Sequence, residues 1–135
     1  IFPNNFWHRY FYYLGEKKTK TNIDVGAVSG GYMMIDKDLD KRIGGFNEKY
    51  FMYLEDIEYC KKAHSQNIRV VFVPNSKIWH EGGGSSNTKD RINFEAWIKS
   101  RRLYFWNNLT IFDNLFIQPA FLVDEIIMRV WRKIK

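Results

Sequence analysis

Cysteine, proline and histidine are scarce in these 135 residues: one, three and three copies. With Cys60 as the single cysteine, an internal disulfide is excluded, and so is a zinc site built on several cysteines. A reducing, cytoplasmic setting is the expectation that follows. No apolar run approaches the roughly 20 residues needed to cross a bilayer. No charged, apolar and small-residue succession at the start reads as a signal peptide. No initiator Met precedes Ile1, so a segment of a longer protein is expected. Internal repeats are absent, and the one low-complexity tract is Gly82-Gly83-Gly84-Ser85-Ser86.

What is present is aromatic and basic. Phe, Trp and Tyr make up 18% of the chain, the net charge is +6 and the mean hydropathy is −0.43. That balance describes a globular domain able to bury a core and suited to an anionic partner. The basic run Glu16-Lys17-Lys18-Thr19-Lys20 is short and sits in no nucleic-acid-binding pattern, so it reads as a solvated loop. No nucleic-acid partner is expected. The aromatic ends need something to pack on, which leaves self-association as a homo-oligomer open.

The densest chemistry lies in Phe46 to Cys60, where an aromatic loop closes on the adjacent carboxylates Glu55 and Asp56. Behind it, Asp24 to Ile35 reads as a buried strand broken by Ser29-Gly30-Gly31, glycines that mark a close approach of ligand or backbone. Asp36 caps a short helix, Lys37 to Arg42, that stops at Gly44-Gly45. A helix from about Leu54 to Ser65 carries Leu54, Ile57, Cys60 and Ala63 on a narrow apolar face. Arg69 to Val73 reads as a strand, and Lys77 to His80 as a short extended stretch ending in the histidine. A helix from Asp90 to about Asn107 follows. A last amphipathic helix is capped by Asp113, with Pro119 in its first turns or splitting it.

Adjacent carboxylates on a helix point in different directions, so Glu55 and Asp56 hold different jobs. The helix dipole at the first turn favours their ionised state, and a positioned carboxylate can collect a proton lost late in a hydroxyl's attack. The same acids also fit a plain helix start. His80, just ahead of three glycines, fits either a structural role or a metal or phosphate site, since such loops aim N–H groups at phosphates.

Taken in order, Val28-Ser29-Gly30-Gly31, Gly44-Gly45-Phe46-Asn47-Glu48, Phe51-Met52-Tyr53-Leu54-Glu55-Asp56, Pro74 and Trp79-His80 resemble the C-terminal half of family 2 glycosyltransferases. The likeness is to the rhamnosyltransferase-like enzymes of bacterial surface polysaccharide synthesis and covers about residues 24–86. The resemblance implies an α/β fold, part of the GT-A nucleotide-diphospho-sugar transferase type, followed by C-terminal helices. Residues 1–108 would be the acceptor-side half of the catalytic domain, without the nucleotide-binding half, and 109–135 an amphipathic helical segment. It implies inverting transfer from a nucleotide-diphospho-sugar to a saccharide or lipid-linked acceptor, with the segment alone inactive.

By the same resemblance Asp56 is the catalytic base, Glu55 contacts the acceptor, and Ser29, Gly30, Gly31, Tyr53 and Trp79 bind substrate. His80 would ligate a divalent Mg or Mn ion in the full-length enzyme, with none held by this segment alone. Asn47, Glu58 and Asn67 depart from the family's Asp, Asp and Gly. No D-x-D metal motif is present where the family places it, and Asp36-Lys37-Asp38 reads as a helix cap. The last helix, with Trp131 and basic neighbours, suits either packing on the domain or the inner face of the plasma membrane. The competing reading is a non-catalytic basic and aromatic module that binds carbohydrate or an anionic surface.

Overall fold

The computed structural model describes residues 20–79 and 90–134. The expectations placed on the aromatic N-terminal stretch, on His80 and on the Gly82 to Ser86 loop fall outside those residues.

Two short strands, β1 (Ile23–Asp24) and β2 (Val71–Phe72), pair antiparallel with Ile23 opposite Phe72 and Asp24 opposite Val71. Beyond β1 the chain bends at Gly26, forms no further strand before Asp36, and makes a 3-10 turn at Gly30–Tyr32. The strand expected from Asp24 to Ile35 is thus mostly unpaired, and the one expected from Arg69 to Val73 contracts to two residues. β-branched residues favour extended backbone, but a ladder also needs a partner strand. Among the described residues, these two strands form the only sheet. The result is a mainly helical domain with a small sheet, and the larger α/β sandwich is not seen in the described residues.

Helix α1 (Lys37–Ile43) begins where expected. One Asp36 carboxylate oxygen accepts the N–H groups of Asp38 and Leu39, at 3.0 and 2.9 Å. It ends at Gly44 in the left-handed region, φ 86°, a conformation nearly free of cost only for glycine. Helix α2 (Glu55–Ser65) finishes in a Schellman arrangement: the Asn67 N–H donates to the His64 carbonyl and the Ile68 N–H to the Ala63 carbonyl. Asn67 carries the left-handed φ of 58°. That geometry explains why glycine is common there in the pattern and why asparagine serves as its substitute. Ile43, Tyr59 and Ala63 form the core between α1 and α2, with Met33, Ile35, Leu39, Ile68 and Val70 packed on it.

Helices α3 (Asp90–Asn108) and α4 (Ile111–Ile134) form a hairpin. Thr110 and Asp113 make a capping box at the start of α4: the Thr110 hydroxyl accepts the Asp113 N–H, and the Asp113 carboxylate accepts the Thr110 N–H. The buried Asn114 amide donates to the carbonyls of Trp106, Leu109 and Thr110 and so closes the corner. α4 runs through Pro119 unbroken. Pro119 is exposed, so water can satisfy the carbonyl that its missing N–H leaves free.

Candidate active site

The turn that opens α2 is strained. Tyr53 and Leu54 are consecutive non-glycine residues in the left-handed region, φ 73° and 69°, a conformation costing on the order of 1–3 kcal/mol each. Such strain persists only where the surroundings enforce it, and it concentrates at functional sites. Here it swings the chain so that Glu55 and Asp56 open the helix directly after the aromatic loop. Leu54 occupies the N-cap position without a side-chain capping bond.

The half-buried Asp56 reaches across 26 residues of sequence to the glycine turn. Its Oδ2 accepts the Gly30 N–H at 2.8 Å, and its Oδ1 accepts the Ile57 N–H at 2.8 Å. Ser29 caps the same turn by accepting the Gly31 N–H at 3.3 Å. A Cβ added at Gly30 would lie 3.5 Å from the Asp56 Cβ, an ordinary contact, so the close approach is made by the Gly30 N–H itself. Glu55 points elsewhere. Its Oε2 is buried with no hydrogen-bond partner among the described residues, a costly state for a carboxylate oxygen until a donor arrives.

Of the residues singled out from sequence, Asp56, Ser29, Gly30 and Gly31 therefore meet at one place. Tyr53 lies next to it in the chain, with its ring edge-on to Trp97, centroids 5.9 Å apart. Trp79 is 96% exposed. His80 is outside the described residues. Among those residues no three His, Cys, Asp or Glu side chains gather as a metal site.

Several contributors escaped the sequence reading. Ser100 of α3 donates its hydroxyl to the Met52 carbonyl at 2.6 Å, across 48 residues. Asn47 donates its amide to both oxygens of Glu58, at 3.2 and 3.4 Å. The two acids-to-be of the family pattern are thus each other's partner here, with an amide replacing one carboxylate and a longer acid the other. The pairing of those two departures was the signal available in the sequence.

Burial favours the neutral form of two tyrosines and the cysteine. Burial, then a hydrogen bond to Asp40 at 2.9 Å, pushes the Tyr59 phenol up to about 12. Burial first, then Glu58, raises Tyr50, and burial raises the Cys60 thiol.

A family model described as the N-terminal domain of galactosyltransferase matches residues 12–81, just over half of the chain, and the chain belongs to that glycosyltransferase family. An N-acetylglucosaminyl-diphospho-decaprenol L-rhamnosyltransferase from Mycobacterium tuberculosis is 26% identical over 104 residues, 77% of this chain and 33% of its own length. Rhamnosyltransferase WbbL of Escherichia coli is 32% identical over 68 residues, 45% of this chain and 26% of the relative. A low-salt glycan biosynthesis hexosyltransferase of Haloferax volcanii is 44% identical over 46 residues, 34% of this chain and 15% of the relative. The chain thus spans a third or less of these relatives. No solved structure matches it. The family 2-like character inferred from the ordered motifs agrees with these relatives, which are named as rhamnosyltransferases and a hexosyltransferase.

Proposed function

We propose that the full-length protein transfers a sugar, with inversion, from a nucleotide-diphospho-sugar to a lipid-linked saccharide in bacterial surface polysaccharide synthesis. One observation carries the reading: in a chain of a glycosyltransferase family, Asp56 is held by the Gly30 N–H of the glycine turn and the Ile57 N–H of its own helix. Those bonds hold its carboxylate in one orientation and leave lone pairs for an incoming hydroxyl. Asp56 takes the acceptor proton while the acceptor oxygen attacks the anomeric carbon in line. The sugar–phosphate bond breaks on the opposite face, and the nucleoside diphosphate leaves. Glu55, with its orphaned buried oxygen, accepts a hydrogen bond from a second acceptor hydroxyl.

In this reading the domain is the acceptor side of a GT-A type enzyme, and the nucleotide-binding part belongs to the longer protein. The described residues alone do not form a metal site. A divalent ion with His80 among its ligands belongs to the full-length site, and no step above runs through it. The relatives' names suggest the first probes, a nucleotide-diphospho-L-rhamnose donor and an N-acetylglucosaminyl-diphospho-polyprenol acceptor.

The acceptor's lipid gives α4 a role. Eleven large apolar side chains on that helix are exposed, from Ile111 at 71% to Ile134 at 78%. No helix of the described residues is long and apolar enough to cross a membrane. An amphipathic helix of this length lies in the plane of the interface, with Trp131 at headgroup level, on the cytoplasmic face.

The test is Asp56→Asn in the full-length protein. Turnover should fall by about a hundred- to ten-thousandfold, the contribution of a positioned base, while donor binding is retained. Unchanged turnover would remove the base assignment, and absence of turnover in the wild-type protein would favour a binding module.

A further inference from the structure

Ser100 lies outside the residues matched by the family model and outside every motif of the site, yet it touches the turn that aims the base. The Met52 carbonyl it binds belongs to the same rigid peptide plane as the Tyr53 N–H. Fixing that carbonyl fixes the plane from which the left-handed pair Tyr53 and Leu54 starts. One turn earlier on α3, Trp97 sets its ring against Tyr53 at an interplanar angle of 85°. Residues three apart share a helix face, so α3 grips Met52 and Tyr53 with a single edge. Ser100 is 3% exposed, so water does not replace its hydroxyl at little cost. From the clamped turn the chain runs directly into Glu55 and Asp56.

We infer that Ser100 is a positioning residue for transfer: supported by Trp97, it holds the strained turn through the Met52 carbonyl and so keeps Asp56 on the Gly30 N–H. The inference rests on the glycosyltransferase reading for its effect on rate, and on geometry alone for its effect on the turn.

The experiment compares Ser100→Ala with Asp56→Asn and Ser65→Ala in the full-length protein, using the rhamnosyl donor and diphospho-polyprenol acceptor above. Ser65 is the control, since its hydroxyl also binds a helix carbonyl, that of Lys62 at 2.7 Å, away from the turn. Ser100→Ala should lower kcat by about ten- to a hundredfold, the scale of a misplaced catalytic group, with the acceptor KM changed by less than about twofold. It should also quicken hydrogen exchange at the Gly30 and Ile57 amides, both of which bind Asp56, and Ser65→Ala should do neither.

Wild-type exchange at those two amides in Ser100→Ala overturns the inference, whatever the activity. So does an unchanged kcat in Ser100→Ala alongside a crippled Asp56→Asn, which leaves the functional reading intact. Quickened exchange combined with full turnover in Asp56→Asn sinks the base assignment and supports the clamp.

Discussion

The part around α1 and α2 and the hairpin of α3 and α4 are held together differently. In the first, apolar side chains such as Ile43 and Ala63 face inward, and hydrogen bonds close the caps and turns. In the second, charges lie along the seam. Arg129 binds Glu95 and Glu125, Arg101 binds Asp124, and Arg132 lies over the Phe94 ring. Aromatic contact is kept at Phe105 with Phe121. The apolar residues of α4 face out instead. A helix that spends its polar face on a neighbour and exposes Phe112, Leu115, Phe116, Val123 and Ile127 is shaped for a further apolar surface. In the function proposed above, the first region carries the chemistry and the second meets a lipid-bound acceptor.

The largest effect should come from spoiling that outer face. Phe116→Glu with Ile127→Glu in the full-length protein should weaken sedimentation with anionic phospholipid vesicles by about a hundredfold or more. Each large apolar side chain contributes roughly 1.5–3 kcal/mol on burial, and the added charges oppose insertion. Because both side chains point away from α3, at 80% and 55% exposure, the far-ultraviolet circular dichroism should not change. Equal vesicle binding by the variant would return the hairpin to an ordinary packing element.

A smaller, asymmetric effect should appear at the seam. The Arg101 side chain is 12% exposed and stacks 4.4 Å above Phe121, with two of its nitrogens buried and unpartnered among the described residues. Asp124 is 47% exposed. Asp124→Ala strips the ion-pair partner from a buried cation and should cost about 1.5–3 kcal/mol in urea unfolding. Arg101→Met removes the buried charge, keeps the packing on Phe121 and leaves Asp124 to water. It should stay within about 1 kcal/mol of wild type. Equal losses in both variants would mean that the charge is a true source of stability there.

The same contrast explains what could be read in the sequence. Asp36 and Gly44 announced α1 because a cap and a left-handed stop are local devices. The spacing of Ile57, Cys60 and Ala63 announced α2, and the ordered motifs named Asp56 and the glycine turn as parts of one site, though not the hydrogen bond between them. The strained φ values of Tyr53 and Leu54 had no glycine to signal them, since the hydrogen bond enforcing the turn comes from Ser100, far along the chain. Strand lengths failed for a related reason: β-branched residues favour extended backbone, yet whether a ladder forms depends on a distant partner, and Gly30–Tyr32 turn instead. The continuity of α4 through Pro119 depends on that residue facing solvent, which spacing alone does not fix.

The smallest predicted effect sharpens the comparison from the other side, by setting two carboxylates face to face in the first region. Asn47 holds the loop in two ways. Its side-chain oxygen accepts the Lys49 N–H at 3.1 Å, and its amide donates to Glu58. Asn47→Asp keeps the first contact and turns the second into two facing carboxylates. At neutral pH the variant should be about 1.5 kcal/mol less stable than wild type, the low end for a hydrogen bond to a charged group, since the contacts are 3.2 and 3.4 Å. Two carboxylates this close bind a proton more readily than either does alone. The variant therefore binds more protons folded than unfolded, so its stability falls as pH rises through the carboxylate range. The gap to wild type should close as the pH is lowered towards about 4. Urea midpoints of both proteins across that range measure it, and a gap independent of pH would show that the amide's contribution is not electrostatic.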